Sequence, residues 1–318
     1  MTLERHNPLP SPGMVWIAGG EFAMGSEQFY PEERPVRRVA IDGFWMDEHP
    51  VTVEAFARFV GDTGYVTVAE RPLDPADYPG ADPALLAPGS LVFRKSAGPV
   101  DLRDNRLWWE YVVGASWRRP AGNDSGTEGR ASHPVIHVAW ADVSAYAQWA
   151  SKEIPTEAEW EFAARGGLDG AVFAWGDEHF PGGRAMANTW QGQFPWQNIN
   201  LDGYEGTSPV GSFPPNGYGL LDVTGNVWEW TSDYYTTPSK TEHSCCVPNN
   251  PRVLTPDESF APAGEPGSNI PRRVIKGGSH LCAPNYCLRY RPAARQPQMI
   301  ETGTAHLGFR CILRPGTK

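Results

Sequence analysis

The sequence predicts a single α+β domain with little regular secondary structure, and three observations carry that expectation. Glycine and proline number 34 and 31 of 318 residues, well above their usual share of ~12%. Thirteen tryptophans accompany them, enough to pin many turns and loops by aromatic packing. Three segments have the apolar spacing of a helix, whereas most of the remainder consists of short apolar runs bounded by turn residues. With 40% hydrophobic and 20% charged residues the chain is globular. No fixed-period repeat or linker divides it. The expected organisation is a tail over residues 1–13 and one domain over 14–318.

The elements follow in order. "MVWIAGGEFAMGS", from Met14, alternates apolar with small residues and reads as strand, turn and strand. "VTVEAFARFVGDTG", from Val51, is a helix capped by Thr52, with Phe56, Phe59 and Val60 on one face and Gly61 as its stop. Residues 66–130 are dense in proline, aspartate and glycine and read as a long irregular tract. A tract of that length is normally functional or an insertion. "HPVIHVAW", from His133, reads as a strand, and "ADVSAYAQWAS" as a helix burying Val143, Tyr146 and Ala150. In "PTEAEWEFAARGG", Thr156 and Glu159 form a capping box that satisfies the first-turn amides, and Gly166 closes the helix. Beyond Gly167 the pattern is short strands and turns, apart from a polar stretch near 236–271.

Charge and cysteine content narrow the function. The formal net charge is −10 and no basic block is present, which argues against nucleic acid and favours a partner carrying positive charge. The N-terminal residues lack an apolar core, and no run of eighteen apolar residues occurs, so neither secretion nor membrane spanning is expected. Five cysteines, with Cys245 and Cys246 adjacent, do not make a disulfide framework. This suits a reducing cytoplasm. Cys311, in "LGFRCIL", reads as a small buried hydrophobe.

Familiar catalytic motifs are absent: no H-E-x-x-H, Walker loop, G-x-S-x-G or G-x-G-x-x-G. His133 and His137, four apart on an expected strand, would lie ~13 Å apart, too far to share a metal. "NINLDGYEG" places Asn198, Asn200, Asp202 and Gly203 at EF-hand intervals, but Pro209 occupies the twelfth position where the bidentate glutamate belongs. "NGYGLLDVTGNVWEWTSDYY" sets Asp222, Asn226 and Glu229 beside glycines and tryptophans, equally suited to a turn-rich core strand and to a calcium site. "SHLCAPNYCLRYRPAAR" holds Cys282 and Cys287 with four residues between them, followed by arginines.

Taken in order, "PTEAEWE", "NGYGL" with "GNVWEW", the "GGSHLCAPNYCLRYR" segment and "LGFRC" resemble the formylglycine-generating enzymes, the sulfatase-modifying factors, over nearly the whole chain and the bacterial members most. "PTEAEWE" and "GNVWEW" mark the wider superfamily. The Cys282/Cys287 pair marks its catalytic group. The resemblance implies a variant of the C-type lectin fold. It also implies a monomeric, cytoplasmic aerobic oxidase that converts the cysteine of a C-x-P-x-R segment in an unfolded sulfatase polypeptide to Cα-formylglycine, with O2 and a thiol reductant. Copper, as Cu(I), would sit on Cys282 and Cys287, which agrees with the preference of soft thiolates for that ion. By the same resemblance Trp228, Ser279 and Tyr286 belong to the active site. Asn188, Thr189, Asp202 and Tyr204 would form one structural Ca2+ site, and Asp222, Gly225, Val227 and Glu229 a second.

Departures from the family pattern are Ala283, where histidine is frequent, and His306, where asparagine is. Ala147, Ala164 and Pro292 stand where the animal enzyme has disulfide cysteines. Two other readings belong to the same superfamily: a non-catalytic peptide-binding paralogue, in which the thiols are idle, and an iron-dependent sulfoxide synthase of the ergothioneine pathway. The second carries an additional N-terminal helical domain, whereas this chain enters the shared fold near residue 14.

Overall fold

A computed structural model of the chain describes residues 12–75, 78, 82–237, 246–262 and 267–316. Cys245 and residues 1–11 of the expected tail lie outside them. In chain order the regular elements are β1 (Met14–Ile17), β2 (Gly20–Met24), β3 (Arg37–Ile41), β4 (Phe44–Asp47), α1 (Val53–Thr63), β5 (Gly89–Phe93), β6 (Trp109–Val113), α2 (Trp140–Trp149), α3 (Glu157–Arg165), β7 (Trp228–Tyr234), β8 (Arg272–Lys276), β9 (Arg295–Met299), β10 (Leu307–Gly308) and β11 (Ile312–Leu313). They form one domain of short mixed sheets joined by long irregular segments. The sheets run β1-β4-β11, β10-β7-β8-β9, β2-β3 and β5-β6. β10 lies parallel to β7, and the other pairs are antiparallel. No described helix is long and apolar enough to cross a membrane.

Local chemistry explains the helices. In α1 the Thr52 hydroxyl accepts from Ala55 N–H, and Phe56, Phe59 and Val60 are buried as the spacing predicts. The helix does not stop at Gly61. It continues one turn to Gly64, whose left-handed φ of 67° closes it, a conformation glycine adopts without a Cβ penalty. α3 keeps its predicted capping box, with Thr156 accepting from Glu159 N–H and Glu159 accepting from Thr156 N–H, and Gly166 ends it at φ 58°. In α2 the inner face is Val143, Tyr146 and Ala147 rather than Ala150, which is the C-cap.

Two other expectations change. "HPVIHVAW" is not a strand: only Pro134 makes a bridge, to Thr52, and His137 sits at φ 61°. Its buried imidazole bonds Ser90 Oγ (2.8 Å) and Pro120 O (2.9 Å), and those long-range bonds override the β-branched pattern. His133 separately bonds Thr207 Oγ1, so each histidine has a structural role. The tract 66–130 also contains a regular hairpin, β5–β6, paired without a register shift from Gly89–Val113 to Phe93–Trp109.

The main core packs α1 and α2 against Trp228, Trp230, Leu307 and Phe309, and Cys282, Cys287 and Tyr290 belong to it. A second core lies between α3 and β2–β4. Long-range buried ion pairs join the pieces, among them Glu157–Arg295, Glu161–Lys276 and Glu229–Arg310. β7 and β8 thereby become a fixed floor, and the loop after β8 carries both thiols above it.

Candidate active site

β8 ends at Lys276, and Gly277 and Gly278, at φ 92° and 67°, turn the chain into the thiol loop. A Cβ on Gly278 would lie 2.7 Å from Tyr290 N, so only glycine permits this close return. Within the loop Cys282 N–H donates to Ser279 O (2.9 Å) and Cys287 N–H to Ala283 O (2.8 Å). These two turns bring the sulfurs face to face, with Cys282 Sγ 3.1 Å from Cys287 Sγ. Both are free thiols, since a disulfide would need ~2.05 Å. Cys311, buried in the core, is not near them in role: its thiol is pushed up by burial and lies against Asp47 and Lys152.

The two sulfurs differ. The hydrogen bond with Cys282 holds Cys287 down, to about 7, and the Arg289 guanidinium (Nη1 3.9 Å away) assists against the cost of burial. Burial raises Cys282 well above the ordinary thiol range, and its bond to Cys287 adds to that. Ser279 N–H donates to Cys282 Sγ (3.4 Å). Arg289 is itself fixed by Glu32 (2.7 Å) and lies 3.7 Å over the Tyr30 ring. Arg291, by contrast, is fully buried and paired with Glu33. Of the two arginines only Arg289 acts on the thiols.

The pair opens into a pocket of about 250 Å³. Trp228 and Ser279, both buried, line it. Tyr286 forms part of its rim, stacked on Phe194 at 4.5 Å and edge-on to Trp108 at 5.3 Å. Every thiol-site residue singled out in the sequence therefore lines one cavity. The sequence did not single out Trp108, Trp109, Asn105 and Gln296, which complete it. Their segments carry no motif, and the hairpin that delivers three of them was read as irregular. His306 also lines the pocket, with its ring 4.8 Å from Trp109 and Nδ1 2.7 Å from Thr304 Oγ1.

For copper the donor set fits: two buried thiols in contact, one of them held toward the thiolate, and cavity space beside them for a further ligand. Among the described residues no group of three or more His, Cys, Asp and Glu side chains is assembled for a metal. A third strong ligand would have to come from outside the chain.

The two calcium sets behave differently. Asn188, Thr189, Asp202 and Tyr204 are brought together: Thr189 N–H donates to Asp202 Oδ2 (3.2 Å) and Tyr204 N–H to Asp202 Oδ1 (3.0 Å). Asn188 Oδ1 is buried without a partner, and burial raises the Asp202 carboxyl. An orphaned acceptor beside an unpaired carboxylate suits a hard cation. In the second set Glu229 does not fit. Its carboxylate accepts from Arg310 Nε and Nη2 (both 2.8 Å) and from Trp160 Nε1 (2.7 Å). Arg310 also collects the carbonyls of Leu221 and Asp222, so a guanidinium already supplies the positive charge. Asp222 and Gly225 adopt left-handed turns and Val227 is buried beside them. Asp222 Oδ2 accepts from Gly211 N–H.

A free thiol pair at the bottom of an aromatic pocket, on one domain of short sheets, defines a thiol-centred enzyme site. The profile of the sulfatase-modifying factor enzyme 1-like domain matches residues 2–315, and the chain belongs to that family. It is 54% identical to a formylglycine-generating enzyme of Mycobacterium tuberculosis over 95% of this chain and 98% of the relative. It is 36% identical to the inactive C-alpha-formylglycine-generating enzyme 2 of Mus musculus, over 96% and 87%. Among solved structures, PvdO from Pseudomonas aeruginosa superposes with a TM-score of 0.63 at 22% identity, over 95% of this chain and 94% of that one. That likeness concerns the fold.

Proposed function

We propose that this enzyme is a copper-dependent aerobic oxidase that converts the cysteine of a C-x-P-x-R segment in an unfolded sulfatase polypeptide to Cα-formylglycine. The observation that carries this reading is the Cys282/Cys287 pair, free, buried and 3.1 Å apart at the bottom of a pocket. Cys282 and Cys287 would hold Cu(I), for which thiolates are the preferred ligands. The bound ion supplies the one-electron O2 chemistry that no side chain performs alone. Cys287, with its thiol held near neutrality, presents the better thiolate, and Ser279 N–H steadies the sulfur of Cys282. Trp228 closes the cavity floor, which keeps water from the thiols. Tyr286 and Phe194 form a wall against which the substrate segment orients its cysteine. A thiol reductant supplies the electrons that oxygen requires beyond those taken from the substrate CH2SH.

Asn188 and Asp202, with main-chain oxygens nearby, would hold one Ca2+ that pins their loop beside the site. The alternative of an idle, peptide-binding paralogue gives no reason for two free thiols to be held in contact inside a pocket. Incubation with a C-x-P-x-R peptide, copper, O2 and a thiol, read by mass spectrometry, tests the proposal. Conversion of CH2SH to CHO is expected. Cys282→Ser or Cys287→Ser should abolish tight Cu(I) binding and conversion together, whereas Cys246→Ser and Cys311→Ser should leave both intact. A Cys282→Ser variant with full copper affinity and turnover would overturn the copper assignment.

A further inference from the structure

The hairpin β5–β6 has one open edge, and it leads into the thiol pocket. In an antiparallel pair, residues that exchange both main-chain bonds with the partner alternate with residues whose N–H and C=O point away from it. Bonds at both ends of the hairpin fix the phase. Arg94 N–H donates to Trp108 O (2.8 Å), and Gly114 N–H donates to Pro88 O (2.8 Å). With Val92 opposite Glu110 and Ser90 opposite Val112, the even-numbered residues of β6 face β5. Trp109 and Tyr111 turn their main-chain groups outward.

The far edge of β5 is covered. Leu91 O accepts from Ala305 N–H (3.0 Å), and Leu91 bridges Thr304. Nothing covers β6 in this way: among the described residues the N–H and C=O of Trp109 and Tyr111 have no main-chain partner. Edge strands are normally blunted by proline, lysine or a bulge, because an open edge recruits other chains. "WEYVV" contains no proline or lysine, and its register is unbroken. Leu107 and Val113, at the two ends of the edge, expose 47% and 49% of their surfaces, which leaves apolar side chains beside the free main chain. Trp109 belongs both to this edge and to the pocket that holds the thiols.

We infer that the outer edge of β6 is the docking strand for the substrate polypeptide: the extended chain flanking the target cysteine pairs with Trp109 and Tyr111 by β-augmentation. The inference rests on the proposed oxidation of a polypeptide cysteine and adds how that polypeptide is held. Main-chain pairing suits an unfolded substrate, since a folded one has few free N–H and C=O groups to offer. It also tolerates different side chains at the flanking positions, because the bonds are made by groups common to all residues. The chain laid on β6 runs along Trp109 directly to the pocket, and the cysteine then enters beside Cys282 and Cys287.

The test uses the full chain, metal-free, and a C-x-P-x-R peptide extended on both sides, with hydrogen exchange as the readout. Peptide binding should slow exchange at the amides of Trp109 and Tyr111 at least about tenfold, while Glu110 and Val112, already bonded to β5, change little. Peptides N-methylated at one flanking amide at a time should show a parity pattern in Kd. Two positions two residues apart should each lose about fivefold to tenfold in affinity, the worth of one hydrogen bond, and the position between them should be indifferent. A peptide that binds without protecting Trp109 and Tyr111, and whose affinity ignores N-methylation, would overturn the docking strand and leave the proposed chemistry standing. A peptide that does not bind at all would overturn the proposed function, and the docking strand with it.

Discussion

Glu229→Gln tests which cation balances the carboxylate beneath the site. Glu229 and Arg310 are almost wholly buried, with side-chain exposures of 1% and 0%. Removing one partner of such a pair leaves an uncompensated buried charge and typically costs ~3–5 kcal/mol. Arg310 retains four carbonyl acceptors, on Asp47, Glu48, Leu221 and Asp222, which places the expected loss at the lower end, about 3 kcal/mol. For a chain of this length the unfolding entropy of ~2.1 cal/mol/K per residue converts that loss into a melting point lower by about 4–5 °C. The double variant Glu229→Gln with Arg310→Met should lose less than Glu229→Gln alone, because no charge is left stranded. The assay is thermal melting by circular dichroism, with and without a calcium chelator. Because the guanidinium already neutralises Glu229, chelation should lower wild type and Glu229→Gln by the same amount. A variant that melts within about 1 °C of wild type, or one that has lost the chelator effect, would refute the assignment of Glu229 to Arg310.

Three further outcomes follow from the geometry. Calcium binding at Asn188 and Asp202 stabilises the native state by mass action, so Asp202→Ala should remove the chelator-dependent shift in melting point. A shift of unchanged size would leave that loop without a metal role. His137 is held down by burial, to about 4, below its unfolded value of about 6.5. The unfolded chain therefore binds the extra proton, and this contribution is complete above pH 6.5 and lost as the pH falls to 4. Buried Asp142 and Asp233, raised by burial to about 6, act in the opposite sense, so the comparison must be with a variant. The unfolding free energy of His137→Asn, measured in urea, should approach that of wild type by about 3 kcal/mol between pH 7 and pH 4; a constant gap would show that His137 does not titrate on unfolding. Arg289→Met should raise the pH midpoint of Cys287 alkylation in metal-free protein, because a cation assisting the thiolate is gone. An unchanged midpoint would assign Arg289 to Glu32 alone.

What could be read in the sequence was set by how local each determinant is. The α3 boundaries were legible because Thr156, Glu159 and Gly166 satisfy or close their own helix. The end of α1 was misread at Gly61: two glycines three residues apart give the same signal, and only the left-handed turn at Gly64 distinguishes them. The extended reading of "HPVIHVAW" failed because bonds to Ser90 and Pro120, far along the chain, decide the conformation at His137. β5 and β6 carry period-two alternation in "GSLVF" and "WEYVV", but the surrounding prolines and aspartates concealed it. Cys282, Cys287, Ser279, Trp228 and Tyr286 were found through their flanking motif. Trp109 and the Glu32–Arg289 pair were not, since each reaches the site only after segments well over one hundred residues apart have packed.

That last pairing has a consequence for how the molecule is made. Leu288 N–H donates to Tyr30 Oη, Arg289 pairs with Glu32 and Arg291 with Glu33, across sequence separations of 257 and 258 residues. The catalytic loop is thus clasped by a segment synthesised near the beginning, and neither half of the clasp has its partner until translation is almost complete. Contacts of such high order form late and slow the folding of a chain. Throughout elongation the early acidic turn waits unpaired, and when Cys282 and Cys287 leave the ribosome they do so unshielded. The stage at which these sulfurs are most exposed to oxidation is therefore birth rather than turnover, and any factor that shortens the interval before the clasp closes would raise the yield of active enzyme without altering a single residue of its site.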